Sequence, residues 1–200
     1  MVFRQSRYES KNRMIAHMKF KNILALVMAI CLFSIDIFAI EKQPTRVIKT
    51  PDKSILFNIP MGFSDPQYEE GTIDLGNDEI TQYIDIISDK NEEKIWVRKL
   101  VIPDSTLNHK TSKKILDDTI RGMHKNPGDK AILLEKIDFT RNDLEWRRAI
   151  YKIDFDGIRF ERMEITIYES NLYFFLYVSR DKKNLMSHTV DAFFDSIVFK

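Results

Sequence analysis

The chain has 200 residues, of which 44% are hydrophobic and 30% charged, a composition typical of a folded globular domain rather than a disordered chain. The formal net charge of +1 conceals an asymmetry, because residues 1–39 carry six basic and two acidic side chains, whereas the remainder carries 25 basic and 28 acidic ones. A mildly acidic domain lacks the basic surface that binds DNA or RNA, so nucleic-acid binding is not an expected function.

An apolar run near the amino terminus predicts an export signal. Ile23–Phe33 are eleven consecutive apolar residues preceded by two lysines, and Ala39 offers a small residue for cleavage. The run is shorter than the roughly 20 apolar residues of a membrane-spanning helix. We therefore expect residues 1–39 to be a signal peptide with a basic extension and residues 40–200 to form one exported, periplasmic domain.

Two alternatives to this interpretation stay open. An uncleaved segment would tether the domain to the membrane, since Ile37 is bulky for a cleavage site. Translation from Met18 would remove the basic extension and leave an ordinary signal. If cleavage occurs near Ala39, Cys31 is removed and the mature domain has no cysteine, which excludes disulfides, thiolate catalysis and cysteine-bound metals.

The remaining sequence predicts an α+β domain. The helices are expected at 111–125, where Leu116, Ile120 and Met123 form one apolar stripe, and at 183–195. The polar segment 64–79 is expected to be a loop. Strands are predicted at 46–49, 55–59, 80–88, 95–102, 131–139, 144–155, 158–168, 172–178 and 196–199.

The dipeptide Asp156-Gly157 predicts a two-residue hairpin turn, because glycine readily adopts the positive φ of type I′ turns. Arginine and tyrosine are enriched at protein interfaces, so a polar half of this hairpin is a candidate surface for a partner. The alternative is a solvated ladder of cross-strand charges. In the predicted register six polar side chains share one side of the hairpin: Arg147, Tyr151, Arg162, Glu164, Tyr168 and Glu145.

The strand predicted at Leu172–Val178 is apolar on both of its faces. Such a strand needs cover above and below, so the pattern predicts a central antiparallel sheet with helical or loop layers on both sides. A one-residue β-bulge would also explain why apolar and charged sides exchange along the preceding hairpin, and it would weaken this inference.

No motif of a catalytic or cofactor site is apparent. His109, His124 and His188 lack the spacing of metal ligands and are expected to be surface or capping residues, and the sequence has neither a nucleophile elbow nor a phosphate-binding glycine loop. The segment 74–79 has oxygen ligands that suit calcium but not the spacing of the twelve-residue calcium loop. We therefore expect no metal and no cofactor, and a non-catalytic protein is favoured over an enzyme.

Two segments resemble PsbP-like domains. The opening SILFNIPMGF, with Phe57, Pro60, Gly62 and Phe63, is similar to the short strand and Pro-x-Gly-aromatic turn at their start. The close FFDSIVFK is similar to their terminal helix and final strand through Phe193, Phe194, Ser196, Ile197 and Phe199. This resemblance, over residues 46–200, implies an α/β/α sandwich and an accessory or binding role rather than catalysis.

The predicted function is an exported, non-catalytic accessory or protein-interaction module of the cell envelope. Its partner would be an unidentified protein or envelope component. The alternative is a small-ligand-binding protein or a hydrolase that uses histidine and the carboxylates of the 64–79 loop. A deep polar pocket containing His109 or Asp78 would favour that alternative.

Overall fold

Two antiparallel sheets and three short α-helices make up the described part of the protein. The structure is a computed structural model, and it describes residues 44–74, 80–124, 130–154 and 157–200. The predicted signal segment and Asp78 lie outside the described residues. The helices are α1 (Asp104–His109), α2 (Ser112–Gly122) and α3 (His188–Asp195), and Lys182–Met186 form a 3-10 helix. The strands are β1 (Thr45–Lys49), β2 (Ile55–Pro60), β3 (Gln67–Asp74), β4 (Ile80–Lys90), β5 (Glu93–Val101), β6 (Lys130–Arg141), β7 (Leu144–Asp154), β8 (Ile158–Tyr168), β9 (Asn171–Ser179) and β10 (Val198–Phe199).

The main sheet has seven strands in the order β3-β4-β5-β9-β8-β7-β6, all antiparallel. The small sheet has the order β1-β2-β10, so β10 pairs with the hairpin that opens the domain. Each sheet side carries alternate residues of a strand, which is why the apolar pattern decides what each side packs against.

Helix α2 covers one side of the main sheet, which we call the helical face. Its apolar stripe of Ile115, Leu116 and Ile120 is buried against β7 and β8. Thr111 caps the helix by accepting a hydrogen bond from the Lys114 backbone N–H at 3.3 Å. The spacing of the apolar residues and this cap together explain why a helix forms here.

The small sheet and α3 together cover the opposite side of the main sheet, which we call the small-sheet face. Residues of β2, such as Phe57, and of α3, such as Phe193, form one core with the aromatic residues of β9, and these two phenylalanine rings meet edge to face at 6.0 Å. Both sides of the main sheet are therefore covered. The predicted α+β fold with a central antiparallel sheet between two layers is confirmed.

The structure differs from the predicted elements at three places. Within the predicted 64–79 loop, Gln67–Asp74 form the edge strand β3. Its polar residues resemble a loop because an edge strand faces solvent. Gly71 leaves space for the Tyr83 side chain, since a Cβ at this position would lie 2.7 Å from the Tyr83 hydroxyl oxygen. Asp104–His109 form a helix that the sequence pattern does not predict, and the predicted 183–195 helix is interrupted at Ser187, which caps α3.

The predicted register of the β7–β8 hairpin is wrong by one residue. Asp154 pairs with Ile158 and Tyr151 pairs with Glu161, so three residues connect the strands instead of two. Gly157 has the positive φ of 100° that such loops place at their glycine. A one-residue slip moves a side chain to the other face of the sheet, and the candidate polar surface therefore does not lie on one side.

A cluster of polar groups at the β1–β2 turn attaches the small sheet to β5. Asp52 Oδ1 accepts a hydrogen bond from Thr50 Oγ1 at 2.6 Å, and Lys99 Nζ donates to Asp52 Oδ2. Burial by itself would raise the pKa of Asp52, but the hydrogen bonds from Lys99, Thr50 and Ser54 outweigh it and hold that pKa well below its usual range.

Replacement of Leu116 by alanine should destabilise the protein by about 2–5 kcal/mol, because a fully buried leucine of the helical face would leave a cavity. Lys113→Ala, on the exposed side of the same helix, should change the free energy of unfolding by less than about 0.5 kcal/mol. Urea unfolding of both variants measures the difference. Equal effects would mean that α2 does not cover the sheet.

The free energy of unfolding should fall by about 1 kcal/mol in Asp52→Asn at pH 7, because a charge-assisted hydrogen bond is lost at a partly exposed site. The pKa of Asp52 is depressed in the folded state, so its contribution to stability is present above its unfolded pKa of about 4 and is lost as the pH falls through the folded pKa. Urea unfolding from neutral to strongly acidic pH should show the two proteins converging below about pH 4. A constant difference would contradict this assignment.

Candidate interaction groove and buried ion networks

Two of the candidate residues, Arg147 and Tyr151, lie on the helical face and are buried beneath α2. Arg147 Nε lies 3.1 Å from Asp117 Oδ1 and 3.1 Å from Asp138 Oδ1. The Tyr151 hydroxyl donates to the Ile120 carbonyl oxygen at 3.0 Å. Both side chains therefore attach α2 to β7.

Two more candidates, Arg162 and Glu164, lie on the small-sheet face within a buried cluster that we call the Glu164 network. The Glu164 carboxylate has no solvent exposure and accepts hydrogen bonds from Arg141 at 2.9 Å, Arg148 at 2.7 Å and Arg162 at 2.9 Å. Three guanidinium groups around one carboxylate are the arrangement in which a buried charge is fully paired.

The Glu164 network fixes the position of α3. Arg162 also donates to Asp191 of α3 and to the Leu185 carbonyl oxygen, and its guanidinium lies 4.4 Å from the centre of the Phe194 ring. Arg141 donates to the Phe194 carbonyl oxygen at 2.7 Å. Hydrogen bonds to backbone and side chain of the covering layer make this network part of the core rather than part of an exposed surface.

The fifth candidate, Tyr168, is half-buried near the end of β8. Its ring lies 4.8 Å from that of Phe199, and its hydroxyl donates to the Lys200 carbonyl oxygen at 3.4 Å. The five candidate residues thus lie on two different faces of the sheet and do not form one exposed surface. Contact of these residues with a partner stays a prediction, and substitution of Arg147 or Arg162 is now expected to affect folding.

A groove of about 490 Å³ lies on the helical face at the end of the sheet where β4 turns into β5. Its apolar part consists of Trp96 from β5, Ile153 from β7 and Val178 from β9, and Arg159 and Glu161 of β8 line it beside them. We call this the Trp96 groove. A concave site with apolar walls and a few charged groups is the usual form of a binding site.

The indole of Trp96 is held in place by a neighbouring ion pair. The Arg98 guanidinium lies 4.6 Å from the centre of the Trp96 ring and donates two hydrogen bonds of 2.7 Å to the buried carboxylate of Asp85. The Trp96 Nε1 atom is buried and has no hydrogen-bond partner among the described residues. Arg98, itself fixed by Asp85, therefore supports the aromatic wall of the groove.

Charged groups surround the apolar part of the groove. At its inner end the buried Glu161 lies 3.3 Å from His124 Nε2, and the His124 ring lies 4.9 Å from that of Tyr151. Burial, together with the charge of Glu161, raises the pKa of Tyr151 to about 12. Arg180 at the rim pairs with Glu92 at 3.1 Å. The groove thus combines an apolar wall with charges of both signs.

The sequence pattern does not identify this groove. Its residues come from three non-adjacent segments, and Trp96 occupies an ordinary strand position that gives no distinctive motif. His124, expected at the surface or at a helix cap, instead contacts the groove residue Glu161. His109 is exposed at the end of α1 and does not line the groove. Within the described ranges, no three His, Cys, Asp or Glu side chains form a cluster suited to a metal.

None of the helices in the described ranges has the length and apolarity needed to cross a membrane.

The sequence matches no protein-family model and no curated protein. Among solved structures, the fold is similar to that of cyanobacterial PsbP (CyanoP) from Synechocystis sp. PCC 6803, with a TM-score of 0.54 and 13% identity over 81% of this chain and 96% of that chain. This likeness confirms the predicted PsbP-like fold. At this identity the likeness defines the class of fold and not a function.

Two further structures are similar at lower TM-scores. LpqN of Mycobacterium tuberculosis, involved in cell envelope biogenesis, matches with a TM-score of 0.44 and 10% identity over 78% of this chain and 91% of that chain. The Pseudomonas aeruginosa protein PA94, of unknown function, matches with a TM-score of 0.39 and 10% identity over 74% of this chain and 90% of that chain.

Replacement of Glu164 by glutamine should cost about 3–5 kcal/mol of stability, because an amide cannot neutralise three surrounding guanidinium groups. Asp195→Asn is the matched control, since this exposed carboxylate lies 3.6 Å from Arg141 and should contribute less than about 1 kcal/mol. Urea unfolding measures both changes. A loss in Glu164→Gln as small as that of the control would contradict the role of the network.

Proposed function

We propose that the protein is an exported, non-catalytic interaction module of the cell envelope that holds an extended segment of a partner protein in the Trp96 groove. The observation that carries this proposal is the apolar wall of Trp96, Ile153 and Val178 next to charged side chains. Tryptophan and arginine are the residue types that contribute most binding energy at protein interfaces.

The fixed position of Trp96 supports this role. An aromatic side chain that is already ordered loses little conformational entropy when a ligand binds. The Arg98–Asp85 pair restricts the Trp96 side chain, because the Arg98 guanidinium lies over the indole and donates two hydrogen bonds to the buried Asp85 carboxylate. The energy of burying the indole is then available for binding.

The charges of the groove indicate which segment would bind. Arg159 is exposed and forms no ion pair with another side chain in the described ranges, whereas Lys94 and Arg180 have Asp89 and Glu92 as neighbours. A partner segment with an apolar side chain beside an acidic one would place the first against Trp96 and the second near Arg159. We propose this chemistry for the partner.

Two observations support the proposed place of action. The apolar run Ile23–Phe33 has the pattern of a secretory signal, and the fold is PsbP-like, which the sequence resemblance associates with exported accessory proteins. On the same grounds we propose that the signal is cleaved and that the domain acts in the periplasm.

A second candidate function is the binding of a small ligand, or its hydrolysis, in the same groove. The Glu161–His124 contact favours it, because a carboxylate beside an imidazole can move a proton. Glu161→Gln separates the two functions. It should abolish hydrolysis by such a pair but leave the capture of a protein segment nearly unchanged, since the apolar wall is intact.

The test places a photo-crosslinking amino acid at position 94, which lines the groove and leaves Arg159 in place, in the full chain expressed in its native cells. We expect a crosslinked adduct with a defined protein, and Trp96→Ala should reduce its yield at least about tenfold, because loss of a tryptophan anchor costs about 2 kcal/mol of binding. Val101→Ala, at an exposed apolar side chain of β5 outside the groove, is the matched control and should leave the yield unchanged.

A crosslinker at Met186, which is exposed at the end of the 3-10 helix, should give none of the same adduct. Circular dichroism of each variant must first show that it is folded. An adduct of equal yield in Trp96→Ala and in the unsubstituted protein would overturn the proposal.

A further inference from the structure

The outer edge of β6 is the unusual surface of this protein. β6 is the last strand of the main sheet, and the side of its backbone that faces away from β7 has no strand partner among the described residues. With twelve residues it is a long edge. Unpaired N–H and C=O groups along such an edge form a template for another strand.

The side chains of β6 increase this tendency. Four large apolar side chains on this one strand are each at least 40% exposed: Ile132, Leu133, Leu134 and Ile137. A β-bulge at Leu134 interrupts the pairing with β7 and leaves a regular segment at 135–141. Soluble proteins normally avoid exposed apolar edge strands, because these strands associate with one another.

The other edge of the same sheet carries charges of one sign only, whereas β6 carries charges of both signs. β3 is shorter and carries the exposed carboxylates Glu69 and Glu70 at its centre. Adjacent like charges oppose pairing with a second copy of that edge. The contrast between the two edges indicates that β6 is the one suited to pairing.

We propose that two copies of this chain pair through their β6 strands, antiparallel and about a two-fold axis at Ile137. Facing residues of paired strands must lie on the same side of the joined sheet, so the two-fold axis passes through a residue. An axis at Glu135, Lys136 or Asp138 would place a charge opposite itself. An axis at Ile137 places an apolar side chain there instead.

Charge complementarity supports this register. With the axis at Ile137, Lys136 of each copy lies opposite Asp138 of the other, which gives two cross-copy pairs of unlike charge. Glu135 lies opposite Phe139, so no like charges face each other within the regular segment. The joined main sheets would form one continuous sheet of twice seven strands with two equivalent Trp96 grooves.

The first test measures the mass of the purified full chain by sedimentation velocity over a range of concentrations. The protein should be a dimer at high concentration, and Ile137→Lys should weaken the dimer at least about tenfold by placing two positive charges at the axis. Val101→Lys, a similar change at another exposed apolar residue, should not. A protein that stays monomeric at every concentration would overturn the proposal.

The second test uses disulfide crosslinking in a Cys31→Ser background, which removes the single cysteine of the sequence. Ile137→Cys should form a disulfide-linked dimer, because residues directly opposite on antiparallel strands have Cβ atoms about 5 Å apart. Ile132→Cys is the matched control on the same strand. Position 132 lies opposite position 142 in this register, so the two introduced thiols would be about 30 Å apart and should not crosslink.

Equal crosslinking at both positions would indicate random collision or another register and would overturn the proposal. A monomer whose β6 crosslinks to a different protein would overturn it as well. Neither result affects the test of the Trp96 groove, whose lining residues come from the β4–β5 hairpin, from β7 and β8, and from the end of β9.

Discussion

Strand β9 is buried on both of its faces, and the rest of the fold depends on that burial. Phe174 faces the layer of α2, and Phe175 faces the layer of the small sheet and α3. An apolar strand with two covered sides cannot lie at an edge or in a single-layer protein. Its place between β5 and β8 therefore requires a sheet that extends in both directions and a separate layer on each side.

The Glu164 network shows how charged residues enter such a core. Removal of a carboxylate from water is costly, and the cost is offset only when every charged oxygen is paired. Arg141, Arg148 and Arg162 supply these pairs, and two of them also bind the backbone that leads into or forms α3. A well-packed apolar cluster could stabilise the core as well, but it would not define the orientation of α3 through directional hydrogen bonds.

The features that the sequence predicts correctly are those that depend on local pattern. The apolar faces of β9 and the stripe of α2 each lie within one segment, and the structure confirms both. The likeness to CyanoP confirms the PsbP-like fold as a whole. The predicted β7–β8 register is wrong because the connection is longer by one residue, which places each β8 side chain on the opposite face relative to β7. The Trp96 groove could not be predicted, since it forms only when residues far apart in the sequence meet. β3 escapes prediction because its edge residues are as polar as those of a loop.

The position of β10 has a consequence for the order in which the domain can form. Asn58 of β2 donates its backbone N–H to Ser196 Oγ at 2.8 Å, across a sequence separation of 138 residues, and the Lys200 backbone N–H donates to the Ser54 carbonyl oxygen. Contacts between residues so far apart in the sequence form late and slowly during folding. Until β10 has been synthesised, Tyr173 and Phe175 lack part of the layer that shields them from water. Only a chain that has grown past Phe199 can complete the cover on this side of its sheet.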